Sequence, residues 1–233
     1  MIRSPLANPA LFHIGPAPIT QSVLATWTIM AALVLGGALL TRRLSLIPST
    51  TQTAFELIVD TVDGQIRDTM QTEPARYRAF VGTLFVFIFV ANWSSLIPGV
   101  VPPTAHLETD AALALLVFLA VIWFGIRAGG LGGYLRTFAS PSPFMIPLNF
   151  IESITRTFSL FVRLFGNVMS GVFVIGIVLS LAGLLVPIPL MALDLLTGAV
   201  QAYIFAILAM VFIAAAIGEG KPAPDISSQR TPP

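Results

Sequence analysis

The chain has 233 residues, of which 56% are hydrophobic and 10% charged, with no cysteine and a formal net charge of +1. A soluble domain carries roughly 25% charged residues, so a soluble globular protein is excluded. Without cysteine there are no disulfides or thiolate metal sites, and the charge balance gives no basis for nucleic-acid binding.

Apolar blocks long enough to cross about 30 Å of hydrocarbon recur along the sequence and predict an all-α membrane protein with five crossings. Residues 1–21 contain Pro5, Pro9, Pro16 and Pro18 and lack the pattern of a cleavable signal, so the first span is kept and 1–21 is an N-terminal segment that the charge distribution below puts outside. The first span covers 22–41. Between it and the second span, Phe55, Ile58, Val59, Val62, Ile66 and Met70 recur at helical spacing among acidic residues, predicting an amphipathic helix over 53–72 on the cytoplasmic membrane surface; a plain helical linker is the alternative. Pro74 closes it. The second span covers 80–97 and the third 110–127. The Gly-rich run 129–133 and Pro141, Pro143 and Pro147 mark a connection to a long helix over 147–185. The last span covers 189–217, and 218–233 reads as a flexible tail.

Lys and Arg assign the two sides. Arg42, Arg43, Arg67, Arg76 and Arg78 lie between the first two spans, Arg127 and Arg136 follow the third, and Lys221 and Arg230 lie in the tail. Segments 98–109 and 186–189 have none. The positive-inside rule therefore puts the N-terminus outside and the C-terminus in the cytoplasm.

The chemistry is concentrated in the last two helices. Glu152, Arg156, Ser159, Arg163, Asn167 and Ser170 follow one another at spacings of three or four residues, which places them on one helix face for about 27 Å. That face must meet water, another protein, or both. Asp194, Thr197 and Gln201 form a shorter polar face on the last span. Antiparallel packing would bring Arg163 and Asn167 near Gln201. The amides also fit a second reading as interhelical hydrogen-bond glue worth about 1 kcal/mol.

For Arg163 a purely structural reading is the weaker alternative, because nothing in the sequence requires a cation there for structure. A charge at membrane depth costs about 3 kcal/mol or more, and Glu152 and Asp194 are the only intramembrane acids able to neutralise it. Glu152 lies about 16 Å away along the same helix, and Asp194 sits nearer the outer surface. A guanidinium without a committed internal partner calls for a carboxylate that arrives from another chain and leaves again, as a rotary ion motor requires. An arginine stays charged, so it attracts a rotor carboxylate, resists passage of a cation and separates two aqueous half-paths. Glu152 then serves the cytoplasmic path and Asp194 the outer one.

At these residues the chain resembles the a subunits of F-type ATP synthases, stator subunits of the membrane sector. The resemblance is carried by Ser159-Leu-Phe-Val-Arg163-Leu-Phe-Gly-Asn-Val-Met-Ser-Gly171, by Gln201-Ala-Tyr-Ile-Phe-Ala-Ile-Leu-Ala-Met-Val-Phe-Ile213, by Asn92-Trp-Ser-Ser-Leu-Ile-Pro-Gly99 and by Pro147-Leu-Asn-Phe-Ile-Glu152, in the family's order. It implies that Arg163 matches the essential arginine and Gln201 the glutamine facing it. It also implies a long, strongly tilted C-terminal hairpin against a ring of c subunits, and b and other ATP synthase subunits as partners. The implied setting is a bacterial inner membrane, with protons or sodium ions translocated, no cofactor and no catalysis by this chain.

The departures are specific. Where many relatives carry an acid or His nine residues beyond the arginine, this chain has Val172, which leaves the outer path to Asp194. Where relatives often read Ala-Asp-Leu-Asn, it has Ala105-His106-Leu-Glu108, so His106 and Glu108 become candidate groups of the outer access path. A self-contained secondary transporter or channel is the alternative function, but unequal spans without an internal repeat fit it poorly. No metalloprotease or serine-hydrolase motif supports an enzyme.

Overall fold

The computed structural model describes residues 10–14, 17–42, 50–97, 101–138, 144–183 and 186–218. Five of its helices are long and apolar enough to cross a membrane. They are α1 (Gln21–Thr41), α3 (Arg78–Trp93), α4 (Leu107–Phe138), α5 (Met145–Ala182) and α6 (Pro187–Gly218), while α2 (Thr50–Met70) is the amphipathic helix between the first two. The tail from 219 onward and the segment with Pro141 and Pro143 lie outside the described residues.

The N-terminal segment holds a feature that its prolines hid. Strands β1 (Ala10–Ile14) and β2 (Ala17–Thr20) pair antiparallel and lead directly into α1. Pro18 stands opposite His13 in this two-stranded ribbon, where each strand has a free edge and a residue without an N–H is tolerated. The hairpin marks one end of the bundle. Residues 94–97 and 101–106, the end of α5 and the start of α6 share that end because successive spans alternate in direction, and α2 lies at the other.

In α4 the glycine run does not end the helix. Only Gly130 leaves helical geometry, at φ 71° and ψ 167°, a conformation open to glycine because it lacks a Cβ. The chain bends there, so that the Tyr134 ring packs over Gly125. The two C-terminal helices are far longer than a bilayer requires. At 1.5 Å per residue, the 38 residues of α5 and 32 of α6 extend about 57 and 48 Å, well beyond the roughly 30 Å of hydrocarbon.

Between lipid-embedded helices, close packing rather than water exclusion supplies the attraction, and small residues permit it. Ala202, Ala206 and Ala209 supply that surface on α6 and are all buried. One core joins Leu84 and Ile88 of α3, Leu113, Ala114 and Val117 of α4, Leu160, Leu164 and Val168 of α5, and Phe205 of α6. A second core, at the α2 end, joins Ile66 and Met70 to Tyr77, Val81, Met210 and Ile213. The C-terminal half of α2 is thereby docked on α3 and α6, while Phe55, Leu57, Ile58 and Val59 in its first half stay exposed. The docking is fixed by Arg78, which forms an ion pair with Asp63 and donates from Nε to Asp63 Oδ1 at 2.6 Å. That guanidinium holds the Asp63 carboxyl below its ordinary range.

Candidate ion-translocation site

The buried residues of α5 are Leu160, Leu164, Val168 and Met169, and the polar stripe lies elsewhere on the same helix. Glu152, Arg156, Ser159, Arg163 and Ser170 are exposed, and Asn167 is half-buried. The stripe therefore points largely away from the protein's own core. Within it Arg156 is committed, since it pairs with Glu152 and lies over the Phe212 ring of α6, 5.6 Å from the centroid. Arg163 is not. Among the described residues it makes no ion pair or hydrogen bond, although it stands at the middle of α5.

On α6 the shorter polar face divides. Gln201 is buried with its Nε2 unpartnered, and no direct hydrogen bond joins it to Arg163. The two side chains differ in setting, Gln201 being buried and Arg163 exposed. Thr197 donates to its own backbone at Asp194 O, 3.0 Å. Asp194 is half-buried and borders a cavity of about 200 Å³ with Val172, Ile175, Ser95, Val101 and Pro102 among its lining residues. A space of that size holds several waters. Val172, the position where an acid is missing, thus faces the same cavity as Asp194. Gly171 makes the arrangement possible, since a Cβ there would overlap the Asp194 carboxylate.

The Asn92-Trp93 segment ties the end of α3 to the same stretch of α6. Asn92 Nδ2 donates to Gly198 O at 2.8 Å, Trp93 Nε1 donates to Leu195 O at 3.3 Å, and Thr104 Oγ1 donates to Asn92 Oδ1 at 2.7 Å. Both α6 carbonyls lie between Asp194 and Gln201, so this buried joint fixes the register of the acid and the amide relative to α3. Spacing alone gives no sign of it, because the three elements are distant in sequence.

At the start of α4, Glu108 is exposed and His106 half-buried. Burial lowers the His106 imidazole from its ordinary value, partly offset by the negative charge of Glu108. Asp110, one turn further, is fully buried. Its place at the edge of the third span gives no sign in the sequence of which face of α4 it takes. Among the described residues, no group of three or more His, Asp or Glu is placed to hold a metal ion.

Comparison with known proteins places this arrangement in a family. The ATP synthase A chain family matches residues 23–214. The chain is 56% identical over 218 residues to ATP synthase subunit a 2 of Bradyrhizobium sp. (strain BTAi1 / ATCC BAA-1182), covering 94% of this chain and 98% of that protein. It is 47% identical to ATP synthase subunit a of Albidiferax ferrireducens, covering 91% and 92%, and 50% identical to ATP synthase subunit a 2 of Pelobacter propionicus, covering 89% and 91%. With five helices able to cross a membrane and a family match over most of its length, the chain belongs to the ATP synthase A chain family.

Proposed function

We propose that this chain is the non-catalytic, ion-conducting stator subunit of the ATP synthase membrane sector, and that Arg163 separates two aqueous half-paths. Ion flow between those paths, of protons or sodium ions, drives rotation of a ring of c subunits and thereby ATP synthesis. The carrying observation is Arg163 itself, an exposed cation at the middle of a 38-residue apolar helix with no ion pair among the described residues. A charge at membrane depth is costly, so its counterpart has to come from outside this chain.

In this reading the exposed stripe of α5 is the rotor-facing surface, and each rotor carboxylate meets Arg163 after releasing its ion to one path and before loading from the other. Electrostatics enforce the order. The permanent guanidinium attracts a deprotonated carboxylate and opposes a free cation crossing directly. The cavity bordered by Asp194 lies toward the hairpin end, which the distribution of Lys and Arg makes the outer side, and it supports Asp194 as the outer-path acid. Glu152 and Arg156, near the opposite end of α5, belong to the cytoplasmic path. Gln201, buried behind the stripe, and Asn167 and Ser159 on α5 shape the polar surroundings of Arg163. The b subunits and the catalytic subunits are then its partners in a bacterial inner membrane.

The surface assignment is directly testable because the chain contains no cysteine. Single cysteines at the exposed Ser159 and Ser170, in the intact complex carrying cysteines on the c subunit, should form intersubunit disulfides. A cysteine at Trp27, exposed on α1, should not. Cross-linking at Trp27 with none at Ser159 or Ser170 would move the rotor to another face.

A further inference from the structure

Among the described residues, six of the eight buried polar or charged side chains lie at the hairpin end of the bundle: Thr20, Ser22, Asn92, Ser94, Thr104 and Asp110. Five of them are accounted for. Thr20 and Ser22 share a hydrogen bond at 2.9 Å, Ser94 donates to Ala91 O at 2.7 Å, and Thr104 and Asn92 belong to the joint with Gly198. Asp110 is the exception. Its relative exposure is 0%, and neither carboxylate oxygen has a hydrogen-bond partner.

Asp110 lies on the face of α4 that continues through Leu113, Ala114 and Val117, all members of the core that includes Leu160 and Leu164 of α5. It therefore points into the bundle on the inner side of the helix that bears Arg163. Of the charged groups around it, Glu108 is exposed and His106 half-buried at the mouth of α4; among the described residues no other charged side chain is buried at this end. A position in the first helical turn favours an acid through the helix dipole, but that benefit belongs to exposed acids as well and does not require burial. A leucine at 110 would fill the same space without desolvating a carboxylate. A carboxyl group removed from water and from donors is stable only as the neutral acid or with a cation against it.

We propose that Asp110 is a carrying station for the translocated ion on the outer half-path, inside the bundle between the mouth at His106 and Glu108 and the barrier at Arg163. It would hold the ion as a proton on the carboxyl or as a small monovalent cation beside it, and release it unchanged. The inference rests on the half-path reading given above and adds to Asp194 a second acid reached from the same side.

The test uses the whole ATP synthase in membrane vesicles with Asp110→Asn, Asp110→Leu and Asp110→Glu variants, and Arg163→Ala measured in parallel. The Asn and Leu variants should assemble normally and lose at least tenfold in ATP synthesis driven by an imposed ion gradient, and Glu should restore a large part. In the wild type, a shift of rate with outer pH that is indifferent to sodium identifies a proton, and dependence on outer sodium identifies the metal ion. Synthesis within twofold of wild type in Asn or Leu would overturn the proposal. So would failure of both to assemble, which would make Asp110 structural. Retained synthesis in Arg163→Ala would instead defeat the half-path reading itself, so the two failures are distinguishable.

Discussion

Gly171 and Asp194 occupy one another's space across the α5–α6 contact: a Cβ on the glycine would overlap the aspartate carboxylate. The α5–α6 contact at this level is therefore shaped around an acid rather than around apolar packing. Gly171→Ala should displace Asp194 from the cavity it shares with Val172 and reduce ion-driven ATP synthesis several-fold. It should also lower the thermal stability of the complex. Adding Asp194→Ala should recover stability without recovering synthesis. If Gly171→Ala alone couples normally, the carboxylate position is not what the cavity serves.

If Asp194 is the acid of the outer path, Asp194→Asn, nearly isosteric, should slow synthesis by about tenfold or more, a barrier change on the order of 1.4 kcal/mol. Val172→Glu in that background should restore part of the rate, because position 172 lines the same cavity. Rates of gradient-driven synthesis in vesicles decide it. Normal coupling in Asp194→Asn would make Asp194 a packing residue.

Asn92 supplies both sides of a buried joint, accepting from Thr104 and donating to Gly198. Asn92→Ala leaves the Thr104 hydroxyl buried without its acceptor and should cost about 1–3 kcal/mol. Thermal dissociation of the purified complex should fall accordingly, with Asn92→Asp intermediate. An unchanged transition would show that the joint does not hold α3 to α6.

His106 gives the start of α4 a pH signature. Burial lowers its imidazole from the ordinary 6.5, so an unfolded chain takes up the proton before the folded one does. Its contribution to stability is full above about pH 6.5 and is lost as pH falls through the lowered folded value. Thermal stability measured from pH 7.5 to 5 should decline in the wild type and decline less in His106→Gln. Equal slopes would assign the acid sensitivity to other groups.

Much of this fold is legible in the sequence because lipid requires uninterrupted apolar helices. Hydropathy locates the five spans, and the three-and-four spacing from Glu152 to Ser170 finds the exposed stripe without coordinates. Three features are not legible that way. The β1–β2 hairpin sits among prolines that argue against strands and is visible only once its register is known. The interior burial of Asp110 depends on which face of α4 meets α5, and its neighbour Glu108 is exposed. Antiparallel packing predicts that Gln201 lies near Arg163 but not which of the two is covered, and here Gln201 is buried while Arg163 is exposed. Spacing assigns residues to a face but does not say which face a neighbouring helix will cover.

The central claim is that an unpaired cation at the middle of α5 is the barrier and the countercharge on which coupling depends. Gradient-driven ATP synthesis by the intact complex carrying Arg163→Ala tests it most directly, with assembly checked by subunit composition. The account predicts a normally assembled complex whose synthesis falls to background, with Arg163→Lys recovering little because an ammonium lacks the planar fork and loses its proton more readily in a dry site. Substantial synthesis by the assembled Arg163→Ala complex would contradict it.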